Sequence, residues 1–150
     1  MTRTKLGTLF AVSALALAAF GVGTVPVEAK NGDLVLRCKA RGQNHIAFHA
    51  RYEERARTKG LRQKFNAEFE ARAGGAFTSG QQISIIVDTV TVGTVVLTPA
   101  PSGELSGELQ FDSKVGNGHT VFPSNFPDVV AGSTVEAAFG PNTILGCDLQ

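Results

Sequence analysis

The sequence predicts an antiparallel all-β domain built as a two-sheet sandwich, and three observations carry that prediction. Polar and apolar residues alternate with a period of two through HIAFHARYE (His45 to Glu53) and again through KFNAEFEAR (Lys64 to Arg72). Two β-branched runs, Ile83 to Val87 and Val90 to Leu97, are separated only by Asp88 and Thr89, the length of a tight hairpin turn. No stretch carries a persuasive helical period, because helical spacing through residues 45–57 would gather Ile46, Ala50, Glu53 and Arg57 on one face and bury nothing coherent.

Ahead of these strands the chain opens MTRTKLGTLFAVSALALAAFGVGTVPVEA. Arg3 and Lys5 form a basic start, Leu6 to Phe20 an apolar run, and Val27-Glu28-Ala29 a small-residue end, so residues 1–29 read as a signal peptide cleaved before Lys30. Residues 30–150 then form a single domain, secreted or periplasmic, with no membrane insertion after cleavage. The only two cysteines, Cys38 and Cys147, are predicted to pair, since export places them where disulfides persist and neither belongs to a C-x-x-C motif. Closing a loop of about 110 residues stabilises a fold by about 4 to 5 kcal/mol in the chain-entropy description.

The strands follow in order. LVLRC (Leu34 to Cys38) sets Leu34, Leu36 and Cys38 on one side, and KARGQN is a loop. From His45, the residues Ile46, Phe48, Ala50 and Tyr52 point inward. ERARTKG turns the chain at Gly60, and Phe65, Ala67, Phe69 and Ala71 point inward on the return, completing a long hairpin. Ile83 to Val87, Val90 to Leu97 and Glu104 to Asp112 read as a β-meander, the last pair joined by the Pro- and Gly-containing TPAPSG. Thr134 to Phe139 and Ile144 to Leu149 flank GPNT, with Val135, Ala137, Phe139, Leu145, Cys147 and Leu149 inward. About eight short strands with bridged ends resemble immunoglobulin-like modules in strand count and strand length, although the tryptophan that packs on the bridge in such domains is absent. A small closed barrel is the alternative architecture.

Function is read mostly by exclusion. Without the leader, 12 of the 14 basic and 12 of the 13 acidic residues remain, a formal charge of zero that argues against a nucleic-acid partner. The distribution is uneven, with eleven basic and five acidic residues between Lys30 and Arg72, and one basic and seven acidic beyond. Interleaved strands would neutralise this asymmetry; only a fold that segregates the two parts would create a dipolar surface. His45 and His49, four residues apart on one strand, stand about 13 Å apart and cannot share an ion. There is no G-x-S-x-G, H-E-x-x-H, P-loop or dinucleotide turn, and the pairs Glu68/Glu70 and Glu104/Glu108 lie on solvent faces, unlike carboxylates opposed across a cleft, so no catalysis and no cofactor are expected. Sugar stacking finds no Trp and one inward Tyr.

Residues 112–133 show no strand pattern, and a loop of about twenty residues in a small domain is commonly functional. It offers Phe122 and Phe126, each before a proline, together with His119, as candidate binding residues; otherwise the two rings plug one end of the sheets. The spacing of Asp112, Asn117, Asn125 and Asp128 matches no EF-hand, and no metal site is expected. The expected role is a non-catalytic binding or structural module of the envelope or extracellular space, contacting another protein through this loop or an edge strand. The alternative is a small ligand- or metal-binding protein centred on the loop.

Overall fold

The structure is a computed structural model that describes residues 32–114 and 120–150. The expected leader at residues 1–29 and the candidate His119 lie outside the described residues. Among the described residues nine strands follow one another: β1 (Leu34–Arg41), β2 (Ala47–Arg57), β3 (Gly60–Arg72), β4 (Gln82–Val87), β5 (Val90–Val96), β6 (Thr98–Pro99), β7 (Glu104–Asp112), β8 (Thr134–Phe139) and β9 (Asn142–Asp148). They form two antiparallel sheets, one in the order β1-β2-β3-β7-β6 and the other β5-β4-β8-β9, and the described residues contain no helix.

The period-two pattern sets which side chains meet. Leu36, Tyr52, Phe65 and Phe111 line up across four strands of the larger sheet, and the neighbouring row is Cys38, Ala50, Ala67 and Leu109. A bulky row beside a mostly small one gives the inner surface relief with which a facing sheet can interdigitate. That facing layer is aliphatic: Ile83, Ile85, Val87, Val95 and Val135 are fully or almost fully buried in the common core.

The core is closed along both long edges. At one, Cys38 of β1 is bonded to Cys147 of β9, with Cα atoms 5.7 Å apart and 109 residues of separation, so the first and last long strands are tied as expected. Beside the bridge, the backbones of Arg37 and Gln150 exchange two hydrogen bonds of 2.8 and 3.1 Å. At the opposite edge the chain itself crosses, from β5 in the smaller sheet through fully buried Leu97 to β6 in the larger.

This crossing corrects the meander reading, since β7 pairs with β3 and β6 and faces β5 across the core. Gly107 of β7 permits the approach: a Cβ there would lie 3.0 Å from the Val95 side chain and 3.0 Å from the Val96 carbonyl oxygen. The periodicity of LSGELQF is the same whichever sheet it joins, which is why the pattern alone did not reveal the exchange.

Two further details differ from the pattern. The β2–β3 hairpin is longer than its apolar alternation, with pairing continued from Glu54–Gln63 to Arg57–Gly60 around the two-residue turn Thr58-Lys59. Phe139 is expected inward but lies 44% exposed beyond a bulge between β8 and β9, with its ring centroid 6.4 Å from that of Phe77.

The β4–β5 turn forms at Asp88 and Thr89 as the spacing predicts, with both residues in the left-handed region, φ 44° and 72°. Asp88 tolerates this conformation and its Oδ1 accepts from the Thr134 amide at 2.8 Å. Thr89 is β-branched, and left-handed backbone costs such a residue about 1 to 2 kcal/mol. Thr89→Gly is therefore expected to raise the urea midpoint, corresponding to a gain of about 1 kcal/mol at unchanged slope. A lowered midpoint would show that the threonine side chain contributes more than its backbone strain costs.

Candidate functional site

The loop that the sequence singles out is seated on the core. Phe126 meets Phe65 edge-on with centroids 5.2 Å apart and Phe111 at 5.9 Å, while Phe122 lies 5.5 Å from Phe111 and 4.7 Å from Phe126. Both loop phenylalanines are half-buried. The anchoring is local: Phe111 and Thr120 form a parallel bridge, the Asp112 amide donates to the Thr120 carbonyl at 3.0 Å, and the Phe126 amide donates to the Pro123 carbonyl at 3.0 Å. The four rings thus cap the sandwich where β3 and β7 outrun the facing sheet.

Against this cap, Tyr52, Gln63, Phe122, Phe126 and Asp128 border a cavity of about 210 Å³. Tyr52 Oη donates to Glu54 Oε2 at 3.1 Å, and Gln63 Nε2 donates to Tyr52 Oη at 2.9 Å and to Glu54 Oε2 at 3.2 Å. Burial, reinforced by the hydrogen bond to Glu54, pushes the Tyr52 hydroxyl up to about 12, so it remains a neutral donor at physiological pH.

On the opposite side of the same strands lies an ionic cluster. Asp112, where the sequence reading ends the strand and begins the loop, closes β7 with its side chain on the outer face, yet it is only 1% exposed, with the Arg62 and Lys64 side chains of the neighbouring strand against it. Arg62 Nε donates to Oδ1 at 3.1 Å and Nη2 to Oδ2 at 2.6 Å, Lys64 Nζ stands 3.7 Å from Oδ2, and the Lys114 amide donates to Oδ1 at 2.9 Å. The Arg62 fork, outweighing the cost of burial, holds the Asp112 carboxyl well below the usual carboxylate range. On β2, Glu53 is 8% exposed and paired with Arg51 and, at 2.9 Å, with Arg55, while Arg51 Nε and Arg55 Nε are buried without a hydrogen-bond partner.

The charges are segregated. Every Lys and Arg among the described residues lies on β1, β2, β3 or the β2–β3 turn, except Lys114 just past β7, and the strands of the smaller sheet carry none. Interleaving therefore occurs only within one sheet. Along that outer face Arg51, Arg55, Arg57, Arg62 and Lys64 gather toward the hairpin end around the buried Glu53 and Asp112, while at the other end Glu68, Glu70, Glu104 and Glu108 lie among Lys39, Arg41 and Arg72. The sequence shows the signal in hindsight, as RARTKGLRQK (Arg55 to Lys64) carries five cations and no carboxylate. What it could not show is that these residues continue the strand pairing beyond the core.

His49 faces outward between Lys39 and Glu68, whereas His45 is not on the strand but in the preceding turn, with φ 58°. Among the described residues no group of three or more His, Cys, Asp or Glu side chains could hold a metal ion, and no helix is long and apolar enough to cross a membrane. Comparison with protein-family models, with curated proteins and with solved structures finds no match to this chain.

Two expectations follow from this geometry. Phe126→Ala should lower stability by about 2 to 3 kcal/mol in urea unfolding, as the loss of a partly buried ring from a four-ring cluster requires; a change within about 0.5 kcal/mol would mean that the ring is dispensable to the fold and free for contact. Asp112→Asn should cost about 2 kcal/mol at pH 7. Because the folded carboxyl titrates below its unfolded value of about 3.9, its contribution is complete well above that value and is lost progressively as pH falls through it toward the lower folded value. The difference between wild type and variant should thus shrink from pH 7 to pH 3, and an equal difference at both would remove the ion pair as its source.

Proposed function

We propose that this chain is an exported, non-catalytic binding module of the cell envelope or extracellular space, and that it binds through the hairpin end of the larger sheet's outer face. The observation that carries this reading is the gathering of cations there, on paired strands that extend beyond the core. A rigid disulfide-closed scaffold holding charged side chains on one projecting element suits recognition, because little order remains to be gained on contact. The Cys38–Cys147 bond supports an oxidising compartment, in keeping with the leader expected at residues 1–29. As architecture, we assign the domain to the broad immunoglobulin-like class on its two packed sheets and bridged ends. Its wiring is distinctive, with β3 beside β2, where immunoglobulin domains send the third strand to the other sheet.

Ligand binding at the 112–133 loop is the second reading, favoured by the cavity beside Phe122 and Phe126. At about 210 Å³ it falls below the roughly 300–1,000 Å³ usual for ligand sites, so the charged face takes precedence. A protein partner at this loop or at an edge strand belongs with the second reading.

The test is co-sedimentation of the purified mature chain with envelope fractions of the source cells across a salt series. Retention by wild type that weakens with salt and is lost in Arg57→Ser/Lys59→Ser is expected. Equal retention of wild type and variant at every salt concentration would place recognition elsewhere on the fold.

A further inference from the structure

The far end of the β2–β3 hairpin combines charge with an exposed apolar side chain. β2 and β3 run for 11 and 13 residues, whereas the four strands of the facing sheet have 6 or 7, so among the described residues the hairpin tip has no facing layer. Leu61 occupies a position whose parity points inward along β3, but with none of the described residues opposite it is 55% exposed, and its cross-strand neighbour is the exposed Ala56. Around this apolar spot, Arg57, Lys59, Leu61, Arg62 and Lys114 line one hollow of about 580 Å³. Lys114 is brought there by its backbone bond to Asp112 and by two bonds of 2.9 Å between Ser113 and Gln63. Among the described residues, Lys59 and Lys114 have no carboxylate within ion-pair distance.

Resting on the reading of the hairpin end as the binding element, we infer that its partner is an anionic lipid surface, on which the protein docks peripherally. Leu61 enters the boundary between headgroups and acyl chains, and Lys59 and Lys114, with Arg57 beside them, meet the headgroup phosphates. The apolar residue at the centre of the cations decides between partners. A soluble polyanion has nothing to offer Leu61, whereas a bilayer accepts an apolar tip and cations at the same depth. Among the described residues no aromatic side chain lies at the tip to stack on bases or sugar rings, which disfavours single-stranded nucleic acid and glycans. The contact involves no spanning segment, only a side chain at the interface.

Sedimentation with vesicles of phosphatidylcholine alone, and of phosphatidylcholine mixed with phosphatidylglycerol, tests the inference. Binding to the mixed vesicles only is expected, weakening as salt rises. Lys59→Ser/Lys114→Ser should reduce partitioning about 25-fold, at about five-fold per cation, and Leu61→Ser about ten-fold. All three residues are exposed, so unchanged melting temperatures will show that the variants remain folded. No binding to the mixed vesicles overturns the inference, and so does binding that Leu61→Ser leaves unaltered. Retention on a heparin column insensitive to Leu61→Ser, without vesicle binding, would assign the face to a soluble polyanion. Envelope retention that needs Arg57 and Lys59 but is not reproduced by vesicles keeps the binding-module reading and rejects the lipid.

Discussion

Two sheets that share an apolar core remain together only if their edges cannot splay, and here both long edges are covalently closed. At one, Cys38 and Cys147 join β1 to β9, with the Arg37–Gln150 backbone pair beside them. At the other, the chain passes through Leu97 from β5 to β6, so the polypeptide itself is the clamp. The described residues thus span a layer pair whose core rows, such as Leu36, Tyr52, Phe65 and Phe111, need no helix to cover them. The disulfide acts chiefly by shrinking the unfolded ensemble, and the crossing acts through native packing that requires the bare backbone of Gly107.

Unequal strand length produces the rest. β2 and β3 outrun the facing strands, and an overhanging ribbon must either be covered or be tolerable to water. The structure uses both solutions in sequence along the hairpin. Nearest the core, the segment from Thr120 to Val129 covers the inner surface, its Phe122 and Phe126 closing over Phe65 and Phe111. Beyond the cap the inner positions become Ala56 and Leu61 and the outer ones Arg55, Arg57 and Arg62. The segment that looks most like a binding loop thereby serves as a cap, and the hairpin it leaves uncovered presents the free surface.

Electrostatics follow from the same arrangement. The larger sheet receives β1, β2 and β3 consecutively, and these strands contain nearly all the positive charge of the described chain. Carboxylates on the same face moderate it. Asp112 and Glu53 are each buried beneath two cationic side chains, an arrangement in which removing one partner is costly although the net gain of the pair is modest. What remains toward the solvent at the tip is an excess of cations, a charge distribution of the kind that can steer a charged ligand.

Local pattern by itself determined the all-β class, the positions of the long strands, the inward rows from Phe48 to Tyr52 and from Phe65 to Ala71, the Asp88-Thr89 turn and the Cys38–Cys147 pairing. Each depends on alternation, turn length or the presence of only two cysteines, and all of these are written in neighbouring residues or simple counts. Only the tertiary structure decided that β7 joins the first sheet, that Phe122 and Phe126 sit on the core, that His45 leaves the strand, and that Leu61 stands exposed among cations. Those outcomes turn on which surface lies opposite each strand, and alternation with a period of two reads the same whether the facing layer is a sheet, a loop or water.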